Sequence, residues 1–383
     1  MALILDGSLG VPVTTVTGTL PVANGGTGSA TNATGFKNRI INGAMVIDQW
    51  NAGASVTSIA GYVYSLDRFV LGASQSSKFT VQQNAGAITP PVGFSNYLGA
   101  TSSSAYTVGA AEQFFIAQRI EGLNVSDLAW GTANASAVTL SFRVYSSLTG
   151  TFGGSIINSS MARSYPFSYS IPVANTWTTI SITIAGDTTG TWLTTNGIGI
   201  QINFSMGAGA SSSGTAGAWA GAMYFSATGA TSVVGTNGAT FYLTGVQLEV
   251  GSTATSFEYR PYGTELMLCQ RYYQQLASGG DYSSFSSGMC VNTTEAFFFN
   301  QFIVPMRSAP SVTPSTLSNF CIYVGASAYT VTSFTNRAGG AVNGNYMSNN
   351  LNAVVASGLT AGYGAMLMNA TSTNVTLAFS SEL

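Results

Sequence analysis

Residues 188–248 carry no charged side chain, and neither do residues 7–36. An exposed helix is kept in water by a charged face and steadied by opposite charges three and four residues apart. With 11 Lys+Arg and 13 Asp+Glu in 383 residues, this chain cannot dress many helices in that way. Ser, Thr and Gly stand in their place. Thr and the other β-branched residues favour strands, while Gly and Asn supply turns. The pattern agrees: residues 137–145 (AVTLSFRVY) and 177–184 (WTTISITI) alternate with the period of two that a half-buried strand requires. Residues 113–120, 197–204 and 241–248 read as further strands. The expectation is an all-β chain of many short strands with a surface of neutral hydroxyls. Such a surface lacks the charges that guard edge strands, so closed or interlocked strands, as in an oligomer, are expected.

Composition closes several doors. A hydrophobic content of 45% and an aromatic content of 11% are too high for a disordered chain. A net charge of −2 and a pI near 5.0 offer no phosphate-neutralising field, which excludes nucleic acid as a partner. The absence of histidine removes Ser-His-Asp and Cys-His catalysis and His-ligated metals. Cys269, Cys290 and Cys321 are an odd number without C-x-x-C spacing, and are expected to be buried thiols. Mean hydropathy is +0.28, yet the most apolar stretch, 353–368, is broken by Ser357, Gly358, Thr360, Gly362 and Gly364. No membrane insertion is expected. The first residues meet Asp6 before any apolar h-region forms, so no signal peptide is expected.

Three segments follow from the patterning. Residues 1–35 read as an extended N-terminal anchor: 11–21 alternates apolar and hydroxyl residues, and Pro12 and Pro21 exclude a helix. Residues 36–262 hold strands separated by variable Gly-rich loops, which suggests a jelly-roll β-sandwich. Residues 263–383 read as a second, small C-terminal β-sandwich with strands near 296–304, 320–324, 363–368 and 375–379. A short helix at 264–268, capped by Thr264 with Glu265 at its positive end, is expected to link the two.

Several strings resemble those of bacteriophage virion fibres. LPVANGGTG at 20–28 is similar to a segment recurrent near the virion-proximal parts of tail fibres. NRIINGAMVIDQ at 38–49, LDRF at 66–69, NTW at 175–177 and GDTTGTW at 186–192 resemble a carbohydrate-binding-module-like domain of such fibres. VQLEVG at 246–251 and FEYRPYG at 257–263 resemble its exit, and CQRYY at 269–273 and VPMRSAP at 304–310 resemble a distal unit. The resemblance implies a homotrimer located in the virion. Residues 1–35 would attach it to tail, adaptor or neck proteins, and its target would be host cell-surface glycan. It also implies two alternatives, a head, neck or collar fibre with a structural role and a glycan-depolymerising tailspike.

Stacking on a sugar requires flat aromatic faces, with hydrogen-bonding groups nearby. Trp192 and Trp219, each in a Gly/Ser/Thr-rich stretch, are the glycan-binding candidates, followed by Tyr165 and Tyr169 beside Pro166. Trp130 and Trp177 are assigned to packing. The resemblance further suggests a structural calcium on Asp48, Asp67 and Glu249, since calcium takes several hard oxygens. The alternative is that Arg39, Arg68 and Arg260 neutralise those acids. No other cofactor is expected. A glycosidase needs two carboxylates flanking the scissile bond. Glu112, Glu121, Asp127 and Asp187 are available, but no spacing singles out a pair. The expectation is a protein that is not an enzyme.

Overall fold

The computed structural model describes residues 36–278, 280, 282–338, 341–342, 345–370 and 374–383. The expected anchor at 1–35 lies outside them. Twelve strands form two antiparallel six-stranded sheets. In the first, Val56–Thr57, Phe79–Gln83, Leu98–Ser102, Thr240–Val250, Val138–Ser146 and Thr178–Ile184 are neighbours in that order. The second has the order Gly61–Leu66, Phe69–Ala73, Gln113–Glu121, Ile198–Ala208, Gly150–Ile157 and Ser164–Ile171. The chain crosses repeatedly between the layers, as in a jelly roll. Phe114, Ile116 and Ile120 from one layer and Leu140, Phe142 and Val144 from the other meet in one core.

The run QFFIAQRIE in Gln113–Glu121 is apolar on both faces for a local reason. Its outward Phe115 is covered by the segment that carries Phe225, with the rings stacked 4.8 Å apart. Seven of the twelve sandwich strands are not legible in the sequence, and in three of them, Phe69–Ala73, Leu98–Ser102 and Gly150–Ile157, an internal glycine is the cause. Read as a turn residue, glycine instead sits within strands directly opposite an aromatic. The cross-strand pairs are Gly72 with Phe115, Gly99 with Tyr242 and Gly154 with Phe167. In each, the partner's ring occupies the space where a Cβ would stand.

The helix runs over Tyr262–Gln270, longer than expected, and its N-cap is Pro261 rather than Thr264, which lies inside it. Glu265 is in the first turn and buried, where it accepts from the Asn42 N–H and faces Arg260. Beyond the helix, Tyr273–Ala277, Thr376–Ser380 and Ser311–Pro314 form a three-stranded sheet. The larger sheet there closes on itself. Glu295–Met306 pairs with Ser284–Cys290 on one side and Asn345–Val355 on the other, through Gly364–Asn369, Phe320–Val324 and Ser327–Ala338. Two sheets sharing one core were expected, and Phe302 meets Phe379 across it. The closure differs from an open sandwich, and it removes edges that so few charges could not protect. No described helix is long and apolar enough to cross a membrane. The three cysteines are buried and free.

An apolar cluster of Ile41, Ile47, Cys269 and Tyr272 joins the two cores. Around it runs a layer of ion pairs. Arg68 lies 3.5 Å from the centroid of Tyr272 and pairs with Glu382, their side chains being 1% and 4% exposed. Arg271 grips Glu121 through two bonds of 2.6 and 2.8 Å, and the Tyr272 hydroxyl donates to the same carboxylate at 2.7 Å. Arg307 donates to the Ser381 and Glu382 carbonyls on one side and to the Asn196 carbonyl on the other.

Candidate functional site

One end of the sandwich gathers three tryptophans. Trp130 follows the 3-10 turn Ser126–Leu128, Trp192 lies in the loop between Thr178–Ile184 and Ile198–Ala208, and Trp219 lies in the loop before Phe225. The antiparallel bridge between Ser164 and Ala220 holds the last loop against the edge strand. The three rings meet edge to face, at 4.8 Å for Trp130 with Trp192, 5.3 Å for Trp130 with Trp219 and 5.4 Å for Trp192 with Trp219. This is the arrangement the ring quadrupoles favour. Each indole N–H is satisfied within the protein. Trp130 donates to the Ser136 carbonyl and Trp219 to that of Ala185, both at 2.8 Å, and Trp192 donates to Asp187 at 3.2 Å.

Asp187 organises the site. Its carboxylate takes a two-pronged grip from Arg163, at 2.6 and 2.8 Å, and bonds from the Thr189 N–H and hydroxyl. Burial opposes its charge, but Arg163 and Thr189 together hold its pKa below the ordinary carboxylate range. The Arg163 guanidinium reaches to 6.0 Å from the Trp219 centroid. Apart from the partly exposed Arg163, what remains open to solvent is neutral: the half-buried rings of Trp192 and Trp219, and the exposed Thr188, Thr189, Thr191, Thr194 and Thr195. A narrow crevice between Trp130, Trp192, Leu193, Thr194 and Ile200 runs beside them.

Three of the four glycan candidates come together here. Tyr165 is buried, its ring 5.1 Å from Trp219, so it props the indole rather than facing solvent. Tyr169 does not belong to the site. It is packed among Phe142, Phe152 and Phe167, and burial pushes its phenol pKa far up. Along Ser164–Ile171 the side chain of Tyr169 falls on the core face, which Pro166 gave no means of telling. Trp130 packs, as assigned, but it is also the floor on which both exposed rings rest. Trp177 packs between Tyr97 and Tyr145. Nothing in the sequence marks Arg163, and Asp187 stands out there only within the GDTTGTW string and as one of several acids.

The three calcium candidates do not converge, and among the described residues no group of three or more Asp, Glu, His or Cys side chains is placed to hold a metal ion. The Asp48 oxygens accept from the backbone N–H of Asn51 and Gly53, at 3.0 and 2.6 Å. Glu249 accepts from Gln247 and Thr255. Asp67 accepts from the Gln49 N–H and amide, at 2.6 and 2.5 Å. The arginines also choose other partners: Asp127 for Arg39, Glu382 for Arg68, and Glu258 and Glu265 for Arg260. Asp48 and Glu249 are satisfied by donors close by in the chain, and Asp67 by Gln49, 18 positions away, which spacing along the sequence does not show.

Asp67 makes a pH dependence measurable. Burial, helped by the neighbouring Asp48 and opposed by the Gln49 bonds, raises its pKa from 3.8 to about 6. A carboxyl raised in the folded state costs stability once ionised, so the cost grows as pH climbs from about 4 to 6 and is complete above that. The difference amounts to about 3 kcal/mol in all, of which about 1 kcal/mol is recovered on going from pH 7 to pH 5. Urea unfolding of wild type and Asp67→Asn at both pH values should show the wild type gaining that 1 kcal/mol relative to the variant. A parallel response of the two proteins would refute the assignment.

No family model matches the chain, and no curated protein sequence does. Among solved structures it is similar to the enzymatically active domain of tailspike protein 4 of bacteriophage CBA120, with 14% identity, 56% of this chain and 22% of that one covered, and a TM-score of 0.31. A putative sugar-binding protein of Bacteroides thetaiotaomicron has 10% identity over 56% of this chain and 100% of its own, with a TM-score of 0.32. The family 11 carbohydrate-binding module of Clostridium thermocellum has 10% identity over 52% and 100%, with a TM-score of 0.27. Scores this low decide neither family nor ligand.

Proposed function

We propose that this chain is a non-enzymatic bacteriophage virion fibre that adsorbs to host-surface glycan through a carbohydrate-binding-module-like sandwich. In this reading residues 1–35 attach it to the particle, 36–262 bind, 263–383 form a distal tip, and three copies associate. The observation that carries the binding role is the pair Trp192 and Trp219, half-exposed on a braced tryptophan floor and surrounded by threonine hydroxyls. Rings held in that way lose little freedom when a pyranose face packs on them. The sequence strings described above support the virion setting. Three weak sites on one fibre, and several fibres on a particle, would raise avidity through effective concentration.

The state of the candidate acids supports a binding rather than a hydrolytic role. Asp127 and Asp187 are tied to arginines, Glu121 to Arg271 and Tyr272, and Glu112 to Tyr106, Gln75 and the Gly109 N–H.

Host capsular and lipopolysaccharide oligosaccharides presented to the purified protein test this directly. Trp192→Ala and Trp219→Ala are each expected to weaken binding by about 30-fold, the effect of losing an aromatic anchor of about 2 kcal/mol, with unchanged far-ultraviolet dichroism. Binding that survives both substitutions would remove the site. Release of reducing ends would favour the tailspike alternative. Density at the capsid or collar in particle images would favour the structural one.

A further inference from the structure

The closed sheet bears an apolar patch on its outer face, far from the tryptophans in sequence. Along Glu295–Met306 the side chains alternate, and Phe299 and Ile303 point outward, 58% and 69% exposed. On the next strand Met289, opposite Phe297, is 53% exposed, and on the one beyond it Met366, opposite Ser287, is 41% exposed. The three strands are neighbours, so the four side chains share one face. The only charge on these strands is Glu295, at the start of the longest. Exposed Gln301, between Phe299 and Ile303, and exposed Ser287, opposite Met366, stand among them as neutral polar groups.

We infer that this face is the surface through which copies of the chain associate. Large side chains of this kind offer on the order of 200 Å² each, so the bare fractions together present on the order of 400 Å² of apolar surface. That is within the range of the largest patch a monomer leaves open. It also suits the apolar centre of the roughly 800 Å² that each partner contributes to a stable interface. The occupant is another copy of this chain because the patch holds no charge by which to recognise a foreign partner, and the same apolar face of three copies can meet about a threefold axis. The strands are already paired on both sides, so association is face-on rather than by strand addition. Met289 and Met366 can adjust their shape to a neighbour more readily than branched side chains. The inference shares with the proposed function the association of copies, and adds where it occurs.

Sedimentation of the full chain over a concentration series tests it. The wild type is expected to be oligomeric, and Phe299→Glu with Ile303→Glu to weaken association by about 100-fold or more while leaving glycan binding per chain intact. Peroxide footprinting of the wild type supplies a measure that does not depend on variants. In the oligomer Met289 and Met366 should oxidise several-fold more slowly than Met223 and Met267, which are 40% and 48% exposed elsewhere. An oligomer that survives the double substitution, or equal oxidation of all four methionines, would overturn the surface and leave the fibre reading standing. A monomeric wild type would overturn both.

Discussion

Arg68→Met is expected to cost about 3–5 kcal/mol of stability, the penalty of leaving a buried charge without its partner. Arg68 stands in the two-residue turn between Gly61–Leu66 and Phe69–Ala73, at φ +71, a region that residues other than glycine seldom occupy. The contacts of its guanidinium account for that strain. It pairs with Glu382, donates to the Arg119 carbonyl and lies over the Tyr272 ring. Methionine preserves much of the volume and removes the charge, stranding Glu382 in the joint between the two cores. Because replacing both members of a buried pair with apolar groups is often close to neutral, Arg68→Met combined with Glu382→Leu should recover most of the loss. Urea midpoints for the wild type, the two single variants and the double variant complete the cycle. A single Arg68→Met loss below about 1 kcal/mol would show that the pair is not what holds the joint.

Gly154→Ala is expected to prevent the second sheet from forming, a loss above about 4 kcal/mol. An added Cβ would lie 2.2 Å from the Asn203 carbonyl oxygen and 2.5 Å from the Phe167 ring. Carbon and oxygen approach no closer than about 3.3 Å even in favourable contacts, so Gly150–Ile157 would have to part from Ile198–Ala208. Gly263→Ala is the control. It lies in the Tyr262–Gln270 helix with nothing within 4 Å of the new methyl group, and should stabilise by up to about 1 kcal/mol. Near-ultraviolet dichroism and thermal unfolding of both proteins decide the matter. Equal stability of the two would mean that the glycine has no packing role.

The candidate site was partly legible. Trp192 and Trp219 were marked by the hydroxyl-rich loops around them, because such loops lie at the surface and a large ring among them has few partners nearby in sequence. Tyr169 was misplaced, since one residue of register decides whether a strand side chain enters the core. Arg163 and Asp187 were invisible as a pair, since 24 positions separate them in the chain and the strand and loop geometry alone brings them within 2.6 Å.

Patterning alone determined the class of this protein. A chain of hydroxyl and β-branched residues with charges at 6% of positions cannot sustain soluble helices and must pair its backbone in sheets. It also determined where the clearest strands lie, because alternation is a local property. Tertiary structure alone decided which glycines are turns and which seat an aromatic ring, which acids meet which arginines, and that one sheet closes into a ring. Those outcomes depend on contacts between segments distant in the chain, where a displacement of one residue or a few tenths of an ångström exchanges one partner for another.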